Sequence, residues 1–257
     1  MRLNVKPIII RNGDYLYARK SQPRLIAMRA IVLAVILGTA LRIEAQASPQ
    51  PYSQIVSIDE YLMEDKAAEV SMARSAAPEA ISRDAAVLVF GKRGYETAVE
   101  GKNGFTCLVE RSWMNPFDSS GFWNPKMRGP ICYNPAAVRT ILPYTLNRTK
   151  LVVTGLSKEQ IRESIVAAIA KNELPMPEVG AMSYMMSKSG NLGVGVGPWC
   201  PHLMFHVPKT DAASWGADLE GSPVLFDDQH HDAPEPETIF MVPVSNWSDG
   251  TSAPHQH

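Results

Sequence analysis

Apolar and polar positions along the chain divide it into blocks of different period. From Met28 a basic pair, Met28-Arg29, leads into the apolar run Ala30 to Leu41, and Ala45-Gln46-Ala47 follows before Ser48. From Ser57 apolar residues recur at helical spacing (Leu62, Ala67, Val70, Ala73) until Pro78, and Ser57-Ile58-Asp59-Glu60 has the form of a capping box at the helix start. Ala86 to Phe90 is a continuous apolar run of strand length. Tyr95 to Val99 and Phe105 to Val109 flank Glu100-Gly101-Lys102-Asn103-Gly104, which reads as a hairpin, so a meander of three antiparallel strands is expected. In the second arm Phe105, Cys107 and Val109 share one face, and Thr106, Leu108 and Glu110 the other.

Ser112 to Pro135 shows neither period. It is rich in aromatic residues and proline, and a loop of this length in a compact domain is usually functional or covalently tied. Asn134-Pro135 then reads as an N-cap with proline at the first helical position, and Pro143 should kink or end that helix. Ser157-Lys158-Glu159-Gln160 is a second capping box, leading Ile161, Ile165, Ala168 and Ile169 at core spacing. The last third returns to strands at 181–186, 203–207 and 238–242, and the tail from Ser248 reads as disordered. Strands and helices are grouped rather than alternating. The expected fold is therefore α+β, a single domain (57–247) with an antiparallel sheet packed by two or three helices.

The first block changes the chemistry expected of the rest. A basic start, a short apolar run and an A-x-A site make residues 28–47 a cleavable signal peptide, with 1–27 an over-extended start and 48–56 a linker. The run is shorter than the roughly 20 residues of a membrane span, and no later run is longer, so no span is expected in the mature chain. The product is expected to be periplasmic or secreted. Residues 1–47 hold eight of the 25 basic and two of the 26 acidic residues, which leaves 17 and 24, a formal charge of −7. An acidic chain without a basic stripe excludes nucleic acid as the natural partner, since Lys and Arg on phosphates supply most of that affinity.

Of Cys107, Cys132 and Cys200, two are expected to pair in an oxidising compartment. Cys107 and Cys132 form the better pair, one in a strand and the other in the proline-rich loop after it; three buried thiols remain the alternative. The segment Cys200 to Val207 carries the most suggestive chemistry. Strand alternation sends Leu203, Phe205 and Val207 to the core and leaves Cys200, His202, Met204 and His206 on the other face, a set suited to copper or zinc. His202 and His206 would be about 13 Å apart along a straight strand, so a shared ion needs ligands from a neighbour, for which Met182 and Met186 are candidates.

Glu110 and Arg111 leave a strand beside Trp113 and Trp123, and with His202 they form a candidate binding set for a small polar ligand. An ion pair tying down the loop is the plainer account of the two charges. The glycine-rich stretch Gly190 to Gly197 lacks the G-K-[ST] ending of a phosphate loop. Lys188-Ser189-Gly190 has the form of a β-lactamase strand motif, but no S-x-x-K partner follows the signal segment; G-x-S-x-G and H-E-x-x-H are also missing.

Cys107 to Trp113, Gly129-Pro130-Ile131-Cys132, Tyr184 to Ser187 and Pro201 to Phe205 together resemble a group of uncharacterised exported bacterial proteins, over roughly residues 61–251. The resemblance implies an envelope or secreted setting and brings no activity or cofactor. Two classes of function stay open: a non-enzymatic envelope protein that binds a small molecule or a partner, and a hydrolase or metal-dependent protein that uses His202 with Glu110 or His206. A histidine and a carboxylate converging in one cleft would favour the second.

Overall fold

The computed structural model describes residues 52–191, 200–227 and 233–254, all within the compact unit Ala47–His257. The expected signal segment, the over-extended start and residues 48–51 of the linker lie outside the described residues. So do most of the glycine-rich stretch and Asp228, His230 and His231 of the acidic one.

Eight strands form one open sheet: β1 (Ala86–Gly91), β2 (Gly94–Val99), β3 (Thr106–Glu110), β4 (Gly129–Tyr133), β5 (Met182–Met185), β6 (His202–Pro208), β7 (Leu225–Phe226) and β8 (Glu237–Pro243). Their order is β2-β1-β3-β4-β5-β6-β8-β7, antiparallel except for β1 beside β3. Five α-helices accompany it: α1 (Lys66–Arg74), α2 (Glu79–Ser82), α3 (Pro135–Thr140), α4 (Leu142–Val153) and α5 (Lys158–Ala170). The α+β expectation holds.

The expected three-strand meander does not form. β1 turns back after Lys92-Arg93, with Gly91 opposite Gly94 and Gly94 at φ 110°, so β2 pairs with β1 and not with β3. The Glu100–Gly104 segment then becomes a crossing and not a hairpin turn. It passes so close to the start of β1 that a Cβ on Gly101 would sit 2.3 Å from the Ala86 amide nitrogen. Lys102 N–H donates to Asp84 O and Ala86 N–H to Phe105 O, which delivers β3 to the far side of β1, parallel to it. A two-residue turn seats β2 beside β1, and the longer connection brings β3 to the opposite edge of β1.

The loop expected over 112–135 contains β4. Cys132 lies in this strand and not in a loop, directly opposite Cys107 of β3 at a Cα separation of 4.0 Å, and the two form the disulfide. Pro130 hid the strand, because proline is normally confined to edges and bulges. Here β5 pairs with β4 only at Cys132 and Tyr133, which leaves room in the ladder for the missing amide. The first helix is also shorter than its pattern. Ser57 to Glu60 opens a 3-10 turn in which the Ser57 hydroxyl accepts from Asp59 N–H, and α1 starts only at Lys66, capped by Asp65. Asn134 caps α3, and the chain breaks at Ile141 before Pro143. Both halves of the Ser157/Gln160 capping box are formed. The tail is tied back: Ser248 N–H donates to Met186 O, and Asn246 bridges Ser252.

The two sheet faces have different covers. α1 packs on the face carrying Val87, Cys107, Val109 and Cys132. On the opposite face α3 and the start of α4 cover Leu108, Ile131 and Tyr133. The aromatic loop is itself core: Trp113, Phe122 and Trp123 pack with Tyr61, Phe90 and the inner sides of α4 and α5.

Candidate functional site

Beyond α4 the second sheet face is not fully covered, and a cavity of about 470 Å³ remains there. Glu110, Ile131, Tyr133, Met185, His202, Met204, His206 and Met241 form its sheet side. Thr145 and Arg148 of α4, Met114 and Met127 of the aromatic loop, Lys209 and Glu235 of the connections around β6–β8, and Glu237 at the start of β8 also line it. The volume falls within the roughly 300–1,000 Å³ usual for small-molecule sites.

Strand alternation places His202, Met204 and His206 on this face together, as expected. The expectation that the opposite side chains would be the more buried is reversed: His202 and His206 are buried, while Leu203, Phe205 and Val207 are half-exposed. α1 packs on β1, β3 and β4, while on the outer face of β6 and β8 Trp215 stacks on Phe240. Cys200 precedes β6 and is not in the cavity wall. Its carbonyl accepts from His202 Nδ1 at 2.8 Å, which puts the ring hydrogen on that nitrogen. Burial holds His202 below the usual imidazole range, against the pull of that carbonyl.

The polar groups at the other end of the cavity are largely matched to one another. Tyr133 donates to Glu110 at 2.6 Å, and Thr145 lies 3.0 Å from the Tyr133 oxygen and 3.4 Å from the same carboxylate oxygen. Burial raises the Glu110 carboxyl above its ordinary range, with the Tyr133 hydrogen bond acting against it. Burial also pushes the Tyr133 phenol well up, reinforced by Glu110. His206 has Nδ1 2.8 Å from a Glu237 oxygen and Nε2 3.0 Å from Ser183 Oγ. Arg148 holds Glu235 Oε1 at 2.7–2.8 Å and also donates to the carbonyls of Trp113 and Asn115. Glu235 Oε2 is buried and has no hydrogen-bond partner among the described residues.

Of the binding set read from sequence, Glu110 and His202 reach the cavity; Arg111, Trp113 and Trp123 do not. Arg111 is fully buried toward α1, where it pairs with Glu69 at 2.9 Å and donates to the Tyr61 and Val109 carbonyls. Its charge is met by Glu69 of α1 and not by Glu110, whose carboxylate is held by Tyr133. Trp113 is also fully buried, its indole N–H on Thr149 Oγ1 at 2.9 Å. The metal set is likewise rearranged. Among the described residues no three His, Cys, Asp or Glu side chains converge as a metal-binding group, and His206 is engaged by Ser183 and Glu237. Met182 pairs with Phe205 and shares its outer face, so Met185, not Met182, is the β5 methionine in the cavity. Sequence reading missed Tyr133, Thr145, Arg148, Glu235 and Glu237, which come from two strands, a helix and a connection with no motif spacing between them. The last strand, expected over 238–242, begins one residue earlier, at Glu237, which shares a face with Ile239 and Met241 by alternation.

No protein-family model, curated protein or solved structure matches the chain. No helix among the described residues is long and apolar enough to cross a membrane.

Proposed function

We propose that this is an exported protein, periplasmic or secreted, that binds a small molecule in the cavity between β4–β8 and α4, without chemical turnover. One observation carries the reading. The cavity has an apolar, methionine-rich wall, while its acid–base groups are tied up in contacts with one another. Methionine walls adapt to a bound shape, and a floor fixed by internal hydrogen bonds is preorganised to orient one polar group of a ligand. Glu235 Oε2, buried and unpartnered among the described residues, favours a ligand that brings a donor such as an amine or hydroxyl. Export is supported by the 28–47 pattern and by the disulfide, a bond that persists in oxidising compartments. Native mass spectrometry of the protein taken from the exported fraction should show a bound small molecule. A Met241→Trp variant, folded by circular dichroism, should lose it. Retention of the same molecule by that variant would place the site elsewhere.

The hydrolase alternative has its own observation, the Ser183–His206–Glu237 line. Its distances are those of a nucleophile, a base and an orienting carboxylate. In that reading Ser183 Oγ adds to an acyl carbonyl as its proton passes to His206 Nε2. Against it, Ser183 is fully buried in the middle of a strand and does not line the cavity. A fluorophosphonate probe separates the two: labelling lost in Ser183→Ala would establish the hydrolase, and an unlabelled protein would remove it.

A further inference from the structure

At the polar end of the cavity acid meets base, with one exception. Arg148 of α4 holds Glu235 at 2.7–2.8 Å, and His206 of β6 lies 2.8 Å from Glu237. Glu110 of β3 is held by hydroxyls alone: Tyr133 donates to its Oε1 at 2.6 Å, and Thr145 Oγ1 lies 3.4 Å from the same atom. No hydrogen bond or ion pair among the described residues reaches Glu110 Oε2, which is not closed off by protein atoms. The side chain is buried and lines the cavity. An apolar wall starts directly beside it. Gly129 lies opposite Glu110 in the β3–β4 pair, and the Met127 methyl, the Met185 methyl and the Glu110 Cβ all lie 3.4–3.5 Å from the point where a Cβ on Gly129 would sit. Ile131, Met204 and Met241 extend the wall along the sheet.

From this geometry we infer that the cavity takes a primary amine on an apolar body, its ammonium group on Glu110 Oε2, an assignment that rests on the small-molecule reading of the cavity. A buried carboxyl without a base is relieved in one of two ways, by keeping its proton or by gaining a cation. In the empty protein burial favours the first and raises the Glu110 carboxyl. An entering ammonium supplies the second: Glu110 gives its proton to solvent, an ion pair remains, and no covalent bond of the ligand changes. The Tyr133 and Thr145 hydroxyls already hold the carboxylate that results. Charged hydrogen bonds of this kind are roughly twice as strong as neutral ones, which favours an amine over an alcohol. A guanidinium fits less well, because its fork seeks two carboxylate oxygens and Oε1 is taken. An anionic ligand would meet Glu110, Glu235 and Glu237 in one wall. Arg148 cannot serve it, since its nitrogens are spent on Glu235 and on the Trp113 and Asn115 carbonyls.

The test is calorimetric titration of the full exported protein with octylamine, octanol and octanoate, probes that share a chain and differ in the head. Octylamine should bind about tenfold or more tightly than octanol, and octanoate least. Titrations at pH 5 in buffers of different ionisation heat should show protons released by octylamine and none by octanol. Glu110→Gln, which keeps an acceptor for Tyr133, should bring octylamine down to the level of octanol and abolish the proton release. The contrast between amine and alcohol is read in the wild type, so it decides the matter even if that variant does not fold. Octanol bound as tightly as octylamine, with both lost in Met241→Trp, would overturn the ammonium assignment and keep the cavity as a small-molecule site. Octylamine binding unchanged in Glu110→Gln would also overturn it. So would a folded wild type that binds none of the probes, and the native mass spectra then decide the cavity reading separately.

Discussion

Glu110 ends β3, Arg111 follows it in the chain, and the two enter opposite environments. Arg111 turns toward α1 into a dry interior, where Glu69 also accepts from Phe90 N–H and Trp113 packs with Tyr61 and Phe90. Glu110 turns toward α4 into a cavity with room to spare. Around Arg111 the walls are large aromatics, and around Glu110 methionines share the wall with Tyr133, Thr145 and Arg148. Rigid rings fill space and close it. Flexible thioethers leave space that something else can fill. Aromatic density in the 112–123 segment therefore marks the core, and the site lies where the sequence shows only scattered methionines.

That contrast is open to measurement. The largest effect is expected on the dry side. Arg111→Ala leaves Glu69 charged and buried, and should cost about 3–5 kcal/mol, read as a lowered urea midpoint. Survival of the midpoint would mean that water reaches this pair and the side is not dry. Next comes the staple between the two sides. Cys107→Ser/Cys132→Ser should cost roughly 3 kcal/mol for a bond that closes a 25-residue separation. The loss should appear equally in wild type treated with reductant under mildly denaturing conditions.

On the cavity side the expected effects are smaller and fall on binding. A Cβ added by Gly129→Ala would meet the Met127 and Met185 methyls and the Glu110 Cβ at 3.4–3.5 Å. Stability should change by less than about 1.5 kcal/mol, while ligand retained in native mass spectra should fall. The reverse pattern, lost stability with ligand retained, would make this floor ordinary core.

The smallest effect is one of sign. Burial raises the Glu110 carboxyl in the folded state, so its protonated form is favoured by folding. The folded state is therefore penalised as pH climbs from the unfolded value near 4.5 toward the folded one, and the penalty is constant above both. Glu110→Gln, which keeps an acceptor for Tyr133, should raise the urea midpoint at pH 7 relative to wild type. The gain should shrink toward pH 4. A gain that does not depend on pH would show that Glu110 is ionised in both states.

Local signals in this chain were reliable where a few neighbouring residues settle the matter. The Ser157/Gln160 capping box, the Asn134 cap and the alternation in β3 and β6 each depend on side chains within four residues, and all appear as read, except that the histidine face of β6 is the buried one and Cys200 stands outside it. Cys107 and Cys132 were paired correctly, yet for an incomplete reason, because Pro130 concealed the strand that brings them together. The sequence by itself determined the α+β class, the helix caps, the two faces of β3 and the histidine–methionine alternation of β6, since each follows from backbone period and short-range hydrogen bonding. Tertiary structure alone decided that β1 lies between β2 and β3, that the aromatic loop is core, and that Glu110, Tyr133, His206 and Glu237 meet around one cavity. Those outcomes depend on which strand reaches which partner first and on which face α1 and α4 cover. Contacts between residues tens of positions apart leave no period in the sequence.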